Sequence, residues 1–99
     1  SYAAAKEGIR GMTRVAATEW GPDGVRANCI CPLAMTEQLA AWKEAYPDTF
    51  AVTIKGIPLG RFGDPKTDIG GVAVFLASDL SAYVSGETIT VQGGSGLRP

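Results

Sequence analysis

The sequence predicts an α/β fold, the C-terminal portion of a doubly wound parallel sheet. Two short β-type runs lie with helical patterns between them, an order that suits a right-handed parallel crossover. Parallel sheets are covered on both faces and are wider than two strands. The first strands of the sheet are therefore expected to be missing from these 99 residues, which read as one segment of a single domain over 1–99.

Residues 2–20 read as a helix, with Ala5, Ile9, Met12, Ala16 and Trp20 recurring at three- and four-residue steps. Gly8 and Gly11 each weaken that helix by roughly 1 kcal/mol relative to alanine, and suggest close packing against another helix. Gly21-Pro22 is a stop and Asp23-Gly24 a turn. Residues 25–31, V-R-A-N-C-I-C, read as a short buried strand ended by Pro32. A helix is expected from Thr36 to about Ala45, broken by Tyr46-Pro47-Asp48. Residues 49–63 are poorly periodic and read as loop with Gly-Ile-Pro and Leu-Gly-Arg turns. Asp64-Pro65 opens the next helix as N-cap and first-turn proline, with Ile69, Val72, Ala73 and Leu76 as its apolar stripe. Ser78-Asp79 marks its end. Residues 87–91, E-T-I-T-V, alternate as a strand that stops at Gly93-Gly94.

A hydrophobic content of 45% with 19% charged residues belongs to a folded chain. A net charge of -1 without a basic run gives nucleic-acid binding no electrostatic support. No apolar stretch reaches membrane-spanning length. In a strand Cys29 and Cys31 share a face about 7 Å apart, too far and too parallel for a disulfide. Reduced thiols in a reducing, cytoplasmic compartment are the expectation. The chain has no histidine, and C-x-C alone cannot build a zinc site.

The chemistry-bearing pair is Tyr2 and Lys6, in Y-A-A-A-K. Four residues is about one helical turn, so phenol and ammonium share a face. A nearby ammonium stabilises phenolate and lowers a tyrosine's pKa. Such a phenol can exchange a proton near neutral pH.

The blocks that follow are specific in their order. They are G-V-R-A-N at 24–28, C-P-L-A-M-T at 31–36, P-L-G-R-F-G-D-P at 58–65, V-F-L-A-S-D at 74–79, Y-V-S-G at 83–86 and I-T-V-Q-G-G at 89–94. With S-Y-A-A-A-K at 1–6, the chain resembles the C-terminal part of a short-chain dehydrogenase/reductase. The resemblance implies a Rossmann-like fold and an NAD- or NADP-dependent oxidoreductase acting on a carbonyl or alcohol. It makes Tyr2 the acid/base at the substrate oxygen. Lys6 would lower the pKa of Tyr2 and hold the nicotinamide ribose. Pro32, Leu33, Met35 and Thr36 would run beside the nicotinamide, with backbone groups of Met35 and the hydroxyl of Thr36 near its carboxamide. Residues 37–57 would be the variable substrate loop, with Leu39 and Trp42 against the substrate. The loop is mobile in many relatives.

The sequence also departs from the family. Leu33 stands where relatives have glycine, the spacing to Thr36 is one residue short, and Gln92 replaces a common aspartate. The Gly-rich phosphate loop and the catalytic serine and asparagine of the family are not in these residues, and Ser1 is not that serine. The resemblance further implies a homodimer or homotetramer built on the first helix and last strand. The alternative reading is a non-catalytic truncated relative that pairs through those same elements. Epimerases and dehydratases of the extended relatives share the Tyr-Lys spacing but fit the later blocks less well.

Overall fold

The structure is a computed structural model that describes residues 1–96. It divides into two compact units, the first made of Ser1–Ile30 with Val74–Ile89, the second of Cys31–Ala73 with residues 90 onward.

In the first unit, helix α1 spans Tyr2–Trp20. Its end is the one the sequence marks. A single 3-10 turn, Gly21–Asp23, follows, and Gly24 closes it at φ +78°, a left-handed conformation that glycine adopts without strain. Of the predicted stripe, Ile9, Met12 and Trp20 are exposed, Met12 by 68%. The half-buried positions are Arg10, Gly11, Thr13, Ala16 and Ala17, of which only Ala16 belongs to the predicted stripe. Among the described residues nothing packs closely at Gly8 or Gly11: a Cβ added at either would meet nothing within 4 Å.

Strand β1 is Cys29–Pro32, shorter than the predicted 25–31 and half-buried rather than buried. Residues 25–28 attach by other bonds. Arg26 donates to the carbonyls of Leu76 (2.8 Å) and Val84 (3.2 Å), and the Asn28 amide donates to Val84 O (3.0 Å) while accepting from Glu87 N–H (3.0 Å). A polar side chain that captures free carbonyls competes with a regular ladder. The Cys29 thiol donates to Thr13 Oγ1 at 3.1 Å, and both cysteines are free.

Helix α4, Gly70–Ala77, ends where Ser78-Asp79 predicts. The first unit's one fully buried polar side chain among the described residues, Ser81, lies just beyond it, with Oγ 2.8 Å from Phe75 O, 3.0 Å from Leu76 O and 3.1 Å from Ser78 O. Its hydroxyl adds a donor at the end of the helix, where Phe75 O also accepts from Ser78 N–H, Leu76 O from Arg26 and Ser78 O from Ser81 N–H.

The second unit holds the apolar core: Phe50, Ile57 and Phe62, with Leu33, Met35, Leu39, Trp42 and Ile54 packed against them. Helix α2 covers Glu37–Ala45, and a further helix, α3, covers Pro47–Lys55. The loop expected over 49–63 is therefore wrong in its first half. Pro47 sits in the first turn of α3, where a missing N–H costs nothing. Phe50, Ile54 and Ile57 follow at helical steps and face the core. Asp64 caps a π-helical turn, Pro65–Ile69, that runs into α4.

Strand β2, Thr88–Val91, pairs with β1. Cys29 N–H donates to Glu87 O and Leu33 N–H to Val91 O, a constant offset that makes the pair parallel. Gln92 adds a side-chain bond to Cys31 O at 3.3 Å, donated by its amide, which an ionised carboxylate has no proton to make.

Candidate active site

The first turn of α1 brings Tyr2 and Lys6 together. Lys6 Nζ lies 5.4 Å from the centroid of the Tyr2 ring, over its face. That is a cation–π distance. Tyr2 is 75% exposed. The turn is held by Ala5 N–H donating to Ser1 O at 2.9 Å, without a side-chain cap.

The other predicted residues belong to the second unit. Pro32 is the exposed last residue of β1. Leu33 N–H is taken by Val91 O (2.9 Å), and Leu33 O accepts from Gly63 N–H (3.0 Å). Met35 N–H donates to Gly63 O at 2.8 Å. Among the described residues no loop or turn hydrogen bond is made to the Met35 carbonyl. Thr36 is the N-cap of α2, and its Oγ1 accepts from Leu39 N–H at 3.1 Å. A hydroxyl that accepts still has its proton to donate. The pair Met35 C=O and Thr36 O–H is one acceptor and one donor on adjacent residues.

Leu39 and Trp42 point at the core. Both are half-buried, and the Trp42 ring meets Phe50 edge-on at 5.7 Å between centroids. Phe50 in turn meets Phe62 at 5.6 Å, and Lys43 Nζ lies 5.5 Å from the Phe50 ring.

The sequence did not single out Asp68. It takes Arg61 in a two-pronged pair, at 2.5 Å and 3.3 Å, and accepts from Asp64 N–H at 2.6 Å. The Arg61 hydrogen bond, with that of Asp64 N–H, holds the Asp68 carboxyl at about 2. Asp68 in turn raises Arg61 above its ordinary value by the same bond and by charge. Asp64 serves as a cap, as its place before Pro65 predicts. Its Oδ1 accepts from Lys66 N–H (2.9 Å) and Thr67 N–H (2.8 Å), and the bonds from Thr67 hold its carboxyl below the usual range. Leu33, Leu59, Arg61, Asp68 and Val91 line a cleft of about 140 Å³. Leu33 directly follows β1 and Val91 ends β2, so this cleft is at the carboxyl ends of both strands, the usual ligand side of an open α/β sheet.

Comparison with known proteins shows what this chain is similar to. Residues 1–96 match the family profile described as enoyl-(acyl carrier protein) reductase. The chain is 59% identical over its whole length to a 12alpha-hydroxysteroid dehydrogenase of Clostridium sp., and covers 38% of that protein. It is 42% identical over 99% of its length to 3beta-hydroxysteroid dehydrogenase 1 of Eggerthella lenta, covering 37% of it. The chain therefore spans less than two fifths of the length of these curated relatives. Among solved structures, a short chain dehydrogenase/reductase family oxidoreductase from Burkholderia thailandensis superposes with a TM-score of 0.84 at 37% identity, over 95% of this chain and 37% of that one. An NADPH-bound short chain oxidoreductase from Pseudomonas aeruginosa PAO1 gives 0.82 at 37% identity, over 97% of this chain and 38% of that one. The fold is thus a piece of the Rossmann-like α/β architecture of these enzymes, and the chain belongs to the short-chain dehydrogenase/reductase family.

Proposed function

We propose that this chain is the acid/base-bearing segment of an NAD- or NADP-dependent oxidoreductase that interconverts an alcohol and a carbonyl. The observation that carries the reading is the Tyr2–Lys6 pair on the first turn of α1, with Nζ 5.4 Å from the ring centroid. Tyr2 Oη gives its proton to the substrate oxygen during reduction and takes it back during oxidation. A phenol in that role neutralises the alkoxide character that develops at the oxygen. Lys6 keeps a positive charge beside the phenol and provides donors for ribose hydroxyls.

The residues after β1 suit a nicotinamide. A carboxamide needs both a donor and an acceptor, and Thr36 O–H with Met35 C=O supplies that combination. Pro32 and Leu33 complete the backbone run beside it. When bound, the dinucleotide supplies the two-electron oxidation or reduction of the substrate carbon. Leu39 and Trp42 shape the substrate side through the helices that carry them.

A hydroxysteroid is the first substrate to try, because the relative that is 59% identical is a 12alpha-hydroxysteroid dehydrogenase. A cytoplasmic homodimer or homotetramer belongs to the same reading. One observation favours the alternative, an interaction module without catalysis: Ile9, Met12, Val15 and Trp20 leave α1 with an exposed apolar side. The retained Tyr2–Lys6 pair favours the enzyme, since a scaffold has no use for it.

The test is to express the complete product of the reading frame and assay it with NAD and with NADP against a 12alpha-hydroxysteroid and simple secondary alcohols. Cofactor-dependent turnover is expected. Failure to bind either dinucleotide would overturn the enzyme reading and leave the interaction module.

A further inference from the structure

Leu33 directly follows β1, and the structure gives its side chain a task. Its backbone is fixed on two sides: N–H to Val91 O at 2.9 Å and C=O from Gly63 N–H at 3.0 Å. Gly63 also returns its carbonyl to Met35 N–H at 2.8 Å, and Ala34 and Gly63 form a parallel bridge between them. A Cβ on Gly63 would stand 3.2 Å from Leu33 O, so this close approach depends on glycine. Leu33 itself needs no glycine, because among the described residues no other type has a positive φ. The side chain is free to pack, and it does so against the cluster of Phe50, Ile57 and Phe62.

That cluster is what joins α2 to α3. Trp42 from α2 meets Phe50 from α3 edge-on, and Phe50 meets Phe62. A side chain anchored at the end of β1 therefore reaches the same apolar core that holds both helices.

We propose that Leu33 is a positioning residue: it fastens α2 and α3 to the end of β1 and turns the 37–57 segment into a fixed wall. The inference rests on the oxidoreductase reading only in taking that segment as the substrate's neighbour. A fixed wall selects substrates by shape before binding, because less ordering is left to be done on association. Side chains at 39 and 42 act on substrate through this frame.

The experiment uses the complete product of the reading frame and the variants Leu33→Gly, Leu33→Ala and Leu33→Met. Amide hydrogen exchange reads the anchoring without reference to activity. Exchange over residues 37–55 is expected to rise at least about tenfold in Leu33→Gly, as local opening becomes easier. Exchange over 2–20 stays at the parent value, and Leu33→Met restores protection. Substrate KM rises several-fold in Leu33→Gly and returns towards the parent value in Leu33→Met, the signature of lost substrate binding. Unchanged exchange over 37–55 would overturn the proposal, as would a uniform rise that includes 2–20. If Leu33→Gly does not fold, Leu33→Ala must show the same local pattern. If no substrate is turned over, the oxidoreductase reading fails while the exchange pattern still decides the anchoring.

Discussion

Replacing Phe50 with alanine tests the packing that frames the candidate site. Phe50 is 6% exposed. A phenylalanine ring buries about 150–250 Å², which at about 25 cal/mol per Å² corresponds to roughly 4–6 kcal/mol. Alanine keeps part of that area, while the edge contacts with Trp42 and Phe62 add about 0.5–1.5 kcal/mol each. Partial collapse of α2 and α3 into the space recovers some of the loss, so the expected cost is about 3–5 kcal/mol, the usual range for such a truncation. The assay is urea unfolding of the complete protein, followed by tryptophan fluorescence. Trp42 lies 5.7 Å from Phe50, whereas Trp20 is exposed on α1, so Trp42 reports the local change. Phe50→Leu is expected to cost less than half as much as the alanine variant. A loss below about 1 kcal/mol for Phe50→Ala would refute the claim that this ring organises the core.

Ser81→Ala removes a fully buried hydroxyl from the carbonyls at the end of α4, and the unfolding midpoint is expected to fall by the equivalent of about 0.5–1.5 kcal/mol. A neutral result would mean that the donors those carbonyls share with Ser78, Arg26 and the Ser81 N–H suffice. Asp68 tests the pH response. Its folded value of about 2 lies below the ordinary 3.8, so its stabilisation is complete above about pH 4 and disappears as pH falls through about 2. Unfolding measured between pH 5 and pH 2 should therefore steepen in the parent and less so in Asp68→Asn. An identical acid slope in both would remove Asp68 from the account.

What the sequence made legible depended on how local the cause was. Helix α1 could be read to its last residue, because Gly21-Pro22 ends it regardless of tertiary contacts. The Tyr2–Lys6 pair was legible for the same reason, since spacing on one helix fixes proximity. The Asp64 cap likewise followed from Pro65. Strand β1 was overread at its start, where Arg26 and Asn28 bind carbonyls some fifty to sixty positions away in sequence. Helix α3 was missed because Pro47 looks like a breaker until its place in the first turn is known, and because Val52, Thr53 and Ile54 are β-branched. Arg61 and Asp68 meet across a turn, and because Arg61 lies before the helical structure begins at Pro65, their seven-residue spacing gave no sign of contact. Thr36 was read for its hydroxyl, and the structure adds that the oxygen caps α2 while the proton stays available.

The exposed apolar side of α1 is the clearest departure between pattern and burial. Periodicity identified the helix correctly, yet Ile9 and Met12 remain open while Arg10, Gly11, Thr13, Ala16 and Ala17 take the half-covered positions. Periodic apolar residues report that a face can be buried, and the partner that buries it is a separate fact.

The most direct test of the central claim is Tyr2→Phe in the complete protein, with turnover followed by cofactor absorbance and dinucleotide affinity by calorimetry. The account predicts that kcat/KM falls by about 10²–10⁴, the range for loss of a general acid/base, while dinucleotide affinity stays within about threefold. Turnover equal to the parent's would contradict it, and the proton would have to come from a group other than Tyr2.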